Sequence, residues 1–286
     1  MGLQCGAGQR RTRAAEKVSA QPDVVPRSEV ARAAVRVVSL CPSITELLFS
    51  LGAGDSVVGR TRFCVEPAGR VDLVERVGGT KNPKLARIVE LRPDIVFMNE
   101  EENRLEDAEA LRQAGLTVHI SFPRSVSETA EMVRSIARAV WCHEAGEQLA
   151  AEIEREVQRI REESRFLRPL RYAYLIWRNP WMAVGGDTYV SALLAEAGGS
   201  NVFGGYAERY PTVSVDDLVS SEPEAVFLAS EPFPFAERHV VELMQATGWP
   251  RSRFELVDGQ LLSWHGSRTL EGLRYAERLL HARQRL

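Results

Sequence analysis

Apolar residues along this chain follow two short alternating rhythms separated by one long helical one. Residues 35–40 (VRVVSL) form a β-branched run of strand length that stops at Cys41-Pro42. An apolar helical stretch follows over residues 44–51. Ser43 and Glu46 are spaced as a capping box at its start, and Gly52 and Gly54 close it. Residues 56–59 read as a short strand, and 60–81 as an irregular loop running into a Gly/Pro turn at 78–83. Helices over 84–91 and 104–114 alternate with strands over 94–98 and 117–120.

The same alternation returns later in the chain. Strands are predicted over 171–177, 225–228, 254–257 and 260–263, with helices over 188–197, 234–247 and 270–282. Such alternation implies parallel sheets covered on both faces. Between the two halves, Met132, Ile136, Val140, Leu149, Ile153, Val157 and Ile160 recur at steps mostly of three or four, with Glu and Arg opposite. The spacing predicts one uninterrupted helix over residues 125–166, far beyond the average of about 11–12 residues. No sustained heptad supports a coiled coil. Gly146, inside the run, is a candidate bend or break. The expected fold is α/β: two Rossmann-like lobes with parallel sheets, residues 35–124 and 167–286, joined by a single long backbone helix. A ligand cleft lies between them.

Composition changes this picture little. With 44% hydrophobic and 26% charged residues the chain is globular, and a net charge of −3 argues against nucleic-acid binding. Residues 1–34 differ: Arg10, Arg11, Arg13, Lys17, Arg27 and Arg32 outnumber Glu16, Asp23 and Glu29 without apolar periodicity, which predicts a disordered tail. No apolar stretch of about 7–15 residues precedes the first strand, as a secretory signal would require. No run of about 18–20 apolar residues could span a membrane. The expected compartment is the cytoplasm, or the periplasm if the true start lies elsewhere. A monomer is expected. Cys5, Cys41, Cys64 and Cys142 are scattered, without a CxxC pair, and read as free thiols. Cys41 and Cys64 fall at strand-to-loop edges of the first lobe and could lie close together.

The stretch Val37-Val38-Ser39-Leu40-Cys41-Pro42-Ser43-Ile44-Thr45-Glu46-Leu47-Leu48 resembles the opening strand, loop and helix of the cobalamin- and ferric-siderophore-binding proteins. These are the substrate-binding components of ABC importers with a helical backbone. Val57-Val58-Gly59, the turn at 78–83, Leu91-Arg92-Pro93-Asp94-Ile95-Val96 and the phrase ending in Glu222-Pro223-Glu224 follow at that family's spacing, so the resemblance covers residues 35–280. It implies a ligand held between two lobes with little hinge closure, no catalysis and no cofactor. It also implies an ABC permease partner, docked through an exposed acid on each lobe. The second lobe offers Asp216 and Asp217; the matching place in the first is Ala86. Cobalamin binders of this type carry first-lobe tryptophans where this chain has Thr80 and Asn99.

In doubly wound lobes, ligands meet the loops after the carboxyl ends of strands. Those loops supply Arg62, Phe63, Lys81, Asn99, Glu100 and Glu101 from the first lobe. The second supplies Trp177, Trp181, Tyr189, Tyr210, Phe233, Trp264 and His265. The aromatic clustering in the second set, against 7% overall, suits a large, partly apolar ligand such as a corrin, a porphyrin or a chelated metal. Glu100, Glu101 and Glu102 stand side by side at a strand end, where they repel one another and call for solvent, a cation or donors. The amide side chains of a corrinoid are such donors. Arg60, Arg62 and Lys81 could instead bind an anionic siderophore or the phosphate of a nucleotide loop. His265 could contact cobalt or iron, or be a satisfied loop histidine. No HxxxH or CxxC cluster offers a bare zinc or manganese site. The expected function is non-catalytic binding of cobalamin, cobinamide or a ferric chelate. The alternative is an enzyme using Glu100, Glu101, Glu102 and His265 as acid–base groups, although no GxSxG, P-loop or GxGxxG is present.

Overall fold

The computed structural model describes residues 35–284; the tail expected over residues 1–34 lies outside the described residues. The first lobe is a parallel sheet of β1 (Val37–Ser39), β2 (Val57–Arg60), β3 (Glu75–Arg76), β4 (Ile95–Asn99) and β5 (Thr117–Ser121), in the order β3-β2-β1-β4-β5. Its helices are α1 (Pro42–Ser50), α2 (Leu85–Glu90) and α3 (Leu105–Gln113). Strand order reverses between β1 and β4, so the loops after these two strands flank the switch point where α/β sheets bind ligands.

Two further helices follow, α4 (Val126–Ala139) and α5 (His143–Ser164). The second lobe contains β6 (Leu170–Trp177), β7 (Met182–Ala183), α6 (Tyr189–Glu196), β8 (Gly199–Asn201), α7 (Val215–Ser220), β9 (Ala225–Ala229), α8 (Glu237–Thr247), β10 (Phe254–Val257), α9 (Gly259–Ser263) and α10 (Thr269–Gln284). Its sheet runs β10-β9-β6-β7, with β8 also on β6. Only β7 is antiparallel.

The joining segment corrects the expectation of one uninterrupted helix over residues 125–166. The backbone helix is α5, of 22 residues. It is preceded by a separate 14-residue α4 that folds back against it. The chain reverses at residues 140–142, where Trp141 takes a left-handed backbone (φ 60°). Arg134 on α4 then reaches both Glu147 and Glu154 on α5. Gly146 marks a close approach rather than a bend: a Cβ there would stand 2.2 Å from the Cβ of Ala137. An apolar stripe repeating every three or four residues looks the same whether buried by one long helix or by a hairpin.

Three local expectations also change. The helix expected from Ser43 starts at Pro42, with Cys41 as N-cap, because proline is favoured in the first turn. Ser43 and Glu46 therefore lie inside α1 and form no capping box. Ser214 and Asp217 form one instead, at the start of α7. The strand expected over 260–263 is helix α9, nucleated by Asp258, whose carboxylate accepts from the Leu261 amide.

One continuous core joins the two sheets. Val37 and Phe97 of the first sheet and Tyr172, Phe227 and Val257 of the second share it with α1, α4, α5, α6 and α10. Separate smaller cores back the outer face of each sheet. Among the described residues, no helix is long and apolar enough to cross a membrane.

Candidate ligand-binding site

The first-lobe strands end in a row of buried polar side chains: Ser39, Thr61, Asn99 and Ser121. Asn99 organises the turn that follows it. Its Oδ1 accepts from the amides of Glu101 (3.0 Å) and Glu102 (3.3 Å), and its own amide donates to Asn103 Oδ1 (2.8 Å). Asn103 Nδ2 donates onward to the carbonyls of Leu40 and Thr80. The turn is thus fixed from within, and its three carboxylates leave it outward.

Those carboxylates find different surroundings. Glu100 faces solvent. Glu101 accepts from Arg209 Nη2 (2.7 Å), Arg209 Nε (3.2 Å) and the Tyr210 hydroxyl (2.5 Å), all from the second lobe. Lys81 Nζ donates to the Glu101 carbonyl (2.5 Å). Glu102 keeps accessible surface, yet desolvation raises its pKa, aided by Glu101 and the second-lobe Glu231. Glu231 is itself raised by desolvation, against an accepted hydrogen bond from Trp264 Nε1 (2.6 Å).

His265 sits buried at the lobe junction. Its Nε2 lies 3.3 Å from Asn99 Nδ2 and its Nδ1 3.4 Å from Ser43 Oγ. Since Asn99 Oδ1 already serves two backbone amides, its NH₂ group faces the ring. Nε2 is therefore the acceptor, and the proton sits on Nδ1, pointing at Ser43. Burial pushes the imidazole pKa down to about 4, so the ring is neutral at pH 7. Tyr189 meets it edge-on at 5.9 Å and is buried, its hydroxyl 3.0 Å from Thr269 Oγ1.

The other expected residues separate into two further places. Trp177, Trp181 and Phe233 gather on the second lobe, but mainly against one another. Phe233 contacts Trp177 (5.6 Å) and Phe235 (4.8 Å), and Trp181 stacks on Phe235 at 5.9 Å. Trp181 and Phe233 pack against the outer core of that lobe, while Trp177 stays 40% exposed. Arg62 and Phe63 are exposed together, the guanidinium 4.7 Å above the ring. The group brought together between the lobes is Lys81, Asn99, Glu101, Tyr189, Tyr210, Trp264 and His265.

Residues 37–250 match the family model described as periplasmic binding protein. The chain belongs to this family. It is 28% identical to the vitamin B12-binding protein of Vibrio campbellii over 194 residues, which is 68% of this chain and 70% of that protein. It is 26% identical to that of Yersinia pestis over 199 residues, or 70% and 71%. Among solved structures, the periplasmic vitamin B12 binding protein BtuF of Vibrio cholerae superposes with a TM-score of 0.76 at 22% identity, covering 88% of this chain and 98% of that one. The periplasmic heme-binding protein RhuT from Roseiflexus sp. RS-1 gives 0.76 at 25% identity, with the same coverage. The two-lobed α/β fold with a helical backbone is therefore that of these binding proteins.

In this periplasmic binding protein, several junction residues escape sequence reasoning. Ser43, expected as a helix cap, lies 3.4 Å from His265 Nδ1, and Glu46 pairs with Arg268 of the second lobe at 2.8 Å. Arg209, Glu231 and Phe122 lie in loops expected at strand carboxyl ends, but nothing local distinguishes them within those loops. Among the described residues, no group of three or more His, Cys, Asp or Glu is placed to hold a metal ion. Cys41 and Cys64 are free and buried. Thr45 Oγ1 links them, 3.0 Å from both Cys64 Sγ and the Cys41 carbonyl.

Proposed function

We propose that this protein binds a corrinoid between its lobes without converting it, as the cargo-binding component of an ABC importer. The observation that carries this reading is the convergence of Glu101 and Glu102 from one lobe and Glu231 from the other on a desolvated junction. Such acceptors suit a ligand whose rim bears N–H donors, as the amide side chains of a corrin do. A porphyrin with carboxylates at its edge would meet like charge there. The partly exposed rings of Trp177 and Tyr210 offer flat apolar surface. The vitamin B12-binding relatives support the same ligand class.

Within this reading, Lys81, Asn99, Glu101, Tyr210, Trp264 and His265 are the ligand-side or ligand-supporting residues. Asp216, exposed on the first turn of α7, is the second-lobe acid available to a permease. Asp217 is engaged by Ser214 in the capping box. We assign the periplasm as the compartment, following the family, in place of the cytoplasm expected from residues 1–34. The acid–base enzyme is disfavoured because His265 is held between Ser43 and Asn99 while Glu100 faces solvent.

The test is calorimetric titration of the purified chain with cyanocobalamin, dicyanocobinamide and haemin, with thermal melts in parallel. Ligand at about 100 times Kd stabilises the native state by about 2.7 kcal/mol. Corrinoids are expected to bind more tightly than haemin. Preference for haemin, or no response to either corrinoid, removes the reading.

A further inference from the structure

We propose that Glu101, Arg209 and Tyr210 form a latch across the binding junction, so that a ligand gains entry only by parting them. This goes beyond the identity of the ligand and rests on how the three side chains are held.

Glu101 belongs to the first lobe and takes three donors from the second. Its backbone is pinned on both sides, by Lys81 at the carbonyl and by Asn99 at the amide. Arg209 is equally fixed. Its carbonyl accepts from the Gly185 amide (2.7 Å), its Nη1 donates to Asp187 (3.0 Å), and its guanidinium lies 4.7 Å over the Phe122 ring of the first lobe. Asp187 in turn faces Arg124 of the first lobe at 3.7 Å. The Glu101–Arg209 contact is thus one of the ties that hold the two loops to each other, and losing it lets their backbones open more often.

The arrangement occupies the charged groups most useful to a ligand. While the contact holds, Glu101 Oε1 carries all three donors and the Arg209 guanidinium is shared between Glu101 and Asp187, so neither is free for a molecule coming between the loops. Both groups are only partly exposed, Arg209 at 22% and Glu101 at 28%, so bulk water competes for them less than at an open surface. A binding-competent population limited by such a contact lowers the apparent affinity by its own fraction.

The experiment uses the full chain and reads the latch without ligand. Amide hydrogen exchange over residues 99–103 and 206–212 is measured in the native protein, in Glu101→Gln and in Arg209→Gln, together with the double variant. Both single variants should exchange about tenfold faster in these two segments. The double variant should add little to the larger single effect, as coupled partners do. Salt at 1 M, where the Debye length is about 3 Å, should move the native protein the same way. Stopped-flow mixing with cyanocobalamin should then show an association rate constant about three- to tenfold higher for Glu101→Gln. Unchanged exchange in both segments overturns the latch, as does a uniform rise throughout the molecule, which would report unfolding instead. Faster exchange confined to the two segments keeps the latch even if cyanocobalamin fails to bind, and in that case only the corrinoid reading falls.

Discussion

Lowering the pH from 7 to 5 should weaken this protein through His265 more than through any surface histidine. The ring is buried, with Nε2 accepting from Asn99 and Nδ1 donating to Ser43. A proton added at Nε2 would set a donor against the Asn99 NH₂ group and leave a cation in a desolvated junction. Burial holds its pKa at about 4, against 6.5 for a free imidazole. The unfolded chain therefore takes up this proton as pH falls below about 6.5, and the folded chain only near 4. The stabilisation is complete above the unfolded value and is lost progressively down to the folded one.

The drop from 6.5 to about 4 corresponds to about 3 kcal/mol in full, of which ~2 kcal/mol is already lost at pH 5. Urea unfolding followed by tryptophan fluorescence at both pH values, on the native protein and His265→Gln, isolates the effect. Glutamine can donate to Ser43 and accept from Asn99, but does not titrate. Burial also lowers His119 and His239, and both remain in the two proteins, so their contributions cancel in the difference. The native protein should lose ~2 kcal/mol more than the variant between pH 7 and 5. Equal losses would refute the buried, doubly bonded imidazole.

Gly146→Ala should lower stability by about 1–3 kcal/mol in a thermal melt. The added Cβ meets Ala137 across the helix crossing, and the roughly 1 kcal/mol gained in helix propensity does not offset that. Ala137→Gly in the same chain should recover part of the loss. Arg60→Met should cost about 2–4 kcal/mol in urea, since the buried guanidinium satisfies the carbonyls of Val71 and Cys64 at 2.8 Å each. A loss under about 1 kcal/mol would mean that water replaces it. Thr188→Ala should cost about 1–2 kcal/mol by differential scanning calorimetry, because its buried hydroxyl caps α6 at the Ser191 amide and donates to the Gly185 carbonyl.

The strands were legible because buried parallel strands need short segments rich in apolar and β-branched residues, and 35–40, 94–98, 225–228 and 254–257 are such segments. The α4–α5 reversal was not, since no glycine or proline stands at residues 140–142 and the apolar stripe continues across the turn. Gly146 drew attention instead, although its role is packing. At residues 260–263 two leucines between Gln260 and Ser263 fit strand and helix alike, and the Asp258 cap decides between them. The loops that meet between the lobes could be listed from the rule that ligands gather at strand carboxyl ends. Their pairings could not. Glu101 and Arg209 are brought together by the packing of two lobes, and no local pattern records it. The aromatic residues show the opposite limit: Trp181 and Phe233 look like a wall in sequence, but rings near other rings satisfy each other first.

The shared core decides how such a junction can open. Moving the lobes apart as rigid bodies would uncover residues such as Leu47, Phe97, Leu193 and Phe227, which are fully buried in the core common to both sheets. Each would cost about 1.5–3 kcal/mol to expose, so even a few exceed what a small ligand's contacts can readily return. Parting Glu101 from Arg209 and Tyr210 exchanges partly exposed polar contacts for water, at about 1 kcal/mol or less for the ion pair. The hairpin of α4 and α5, packed into that same core, thus fixes the spacing of the lobes. Adjustment to a ligand is then left to the loops at the strand ends, which is where the proposed Glu101 latch would yield.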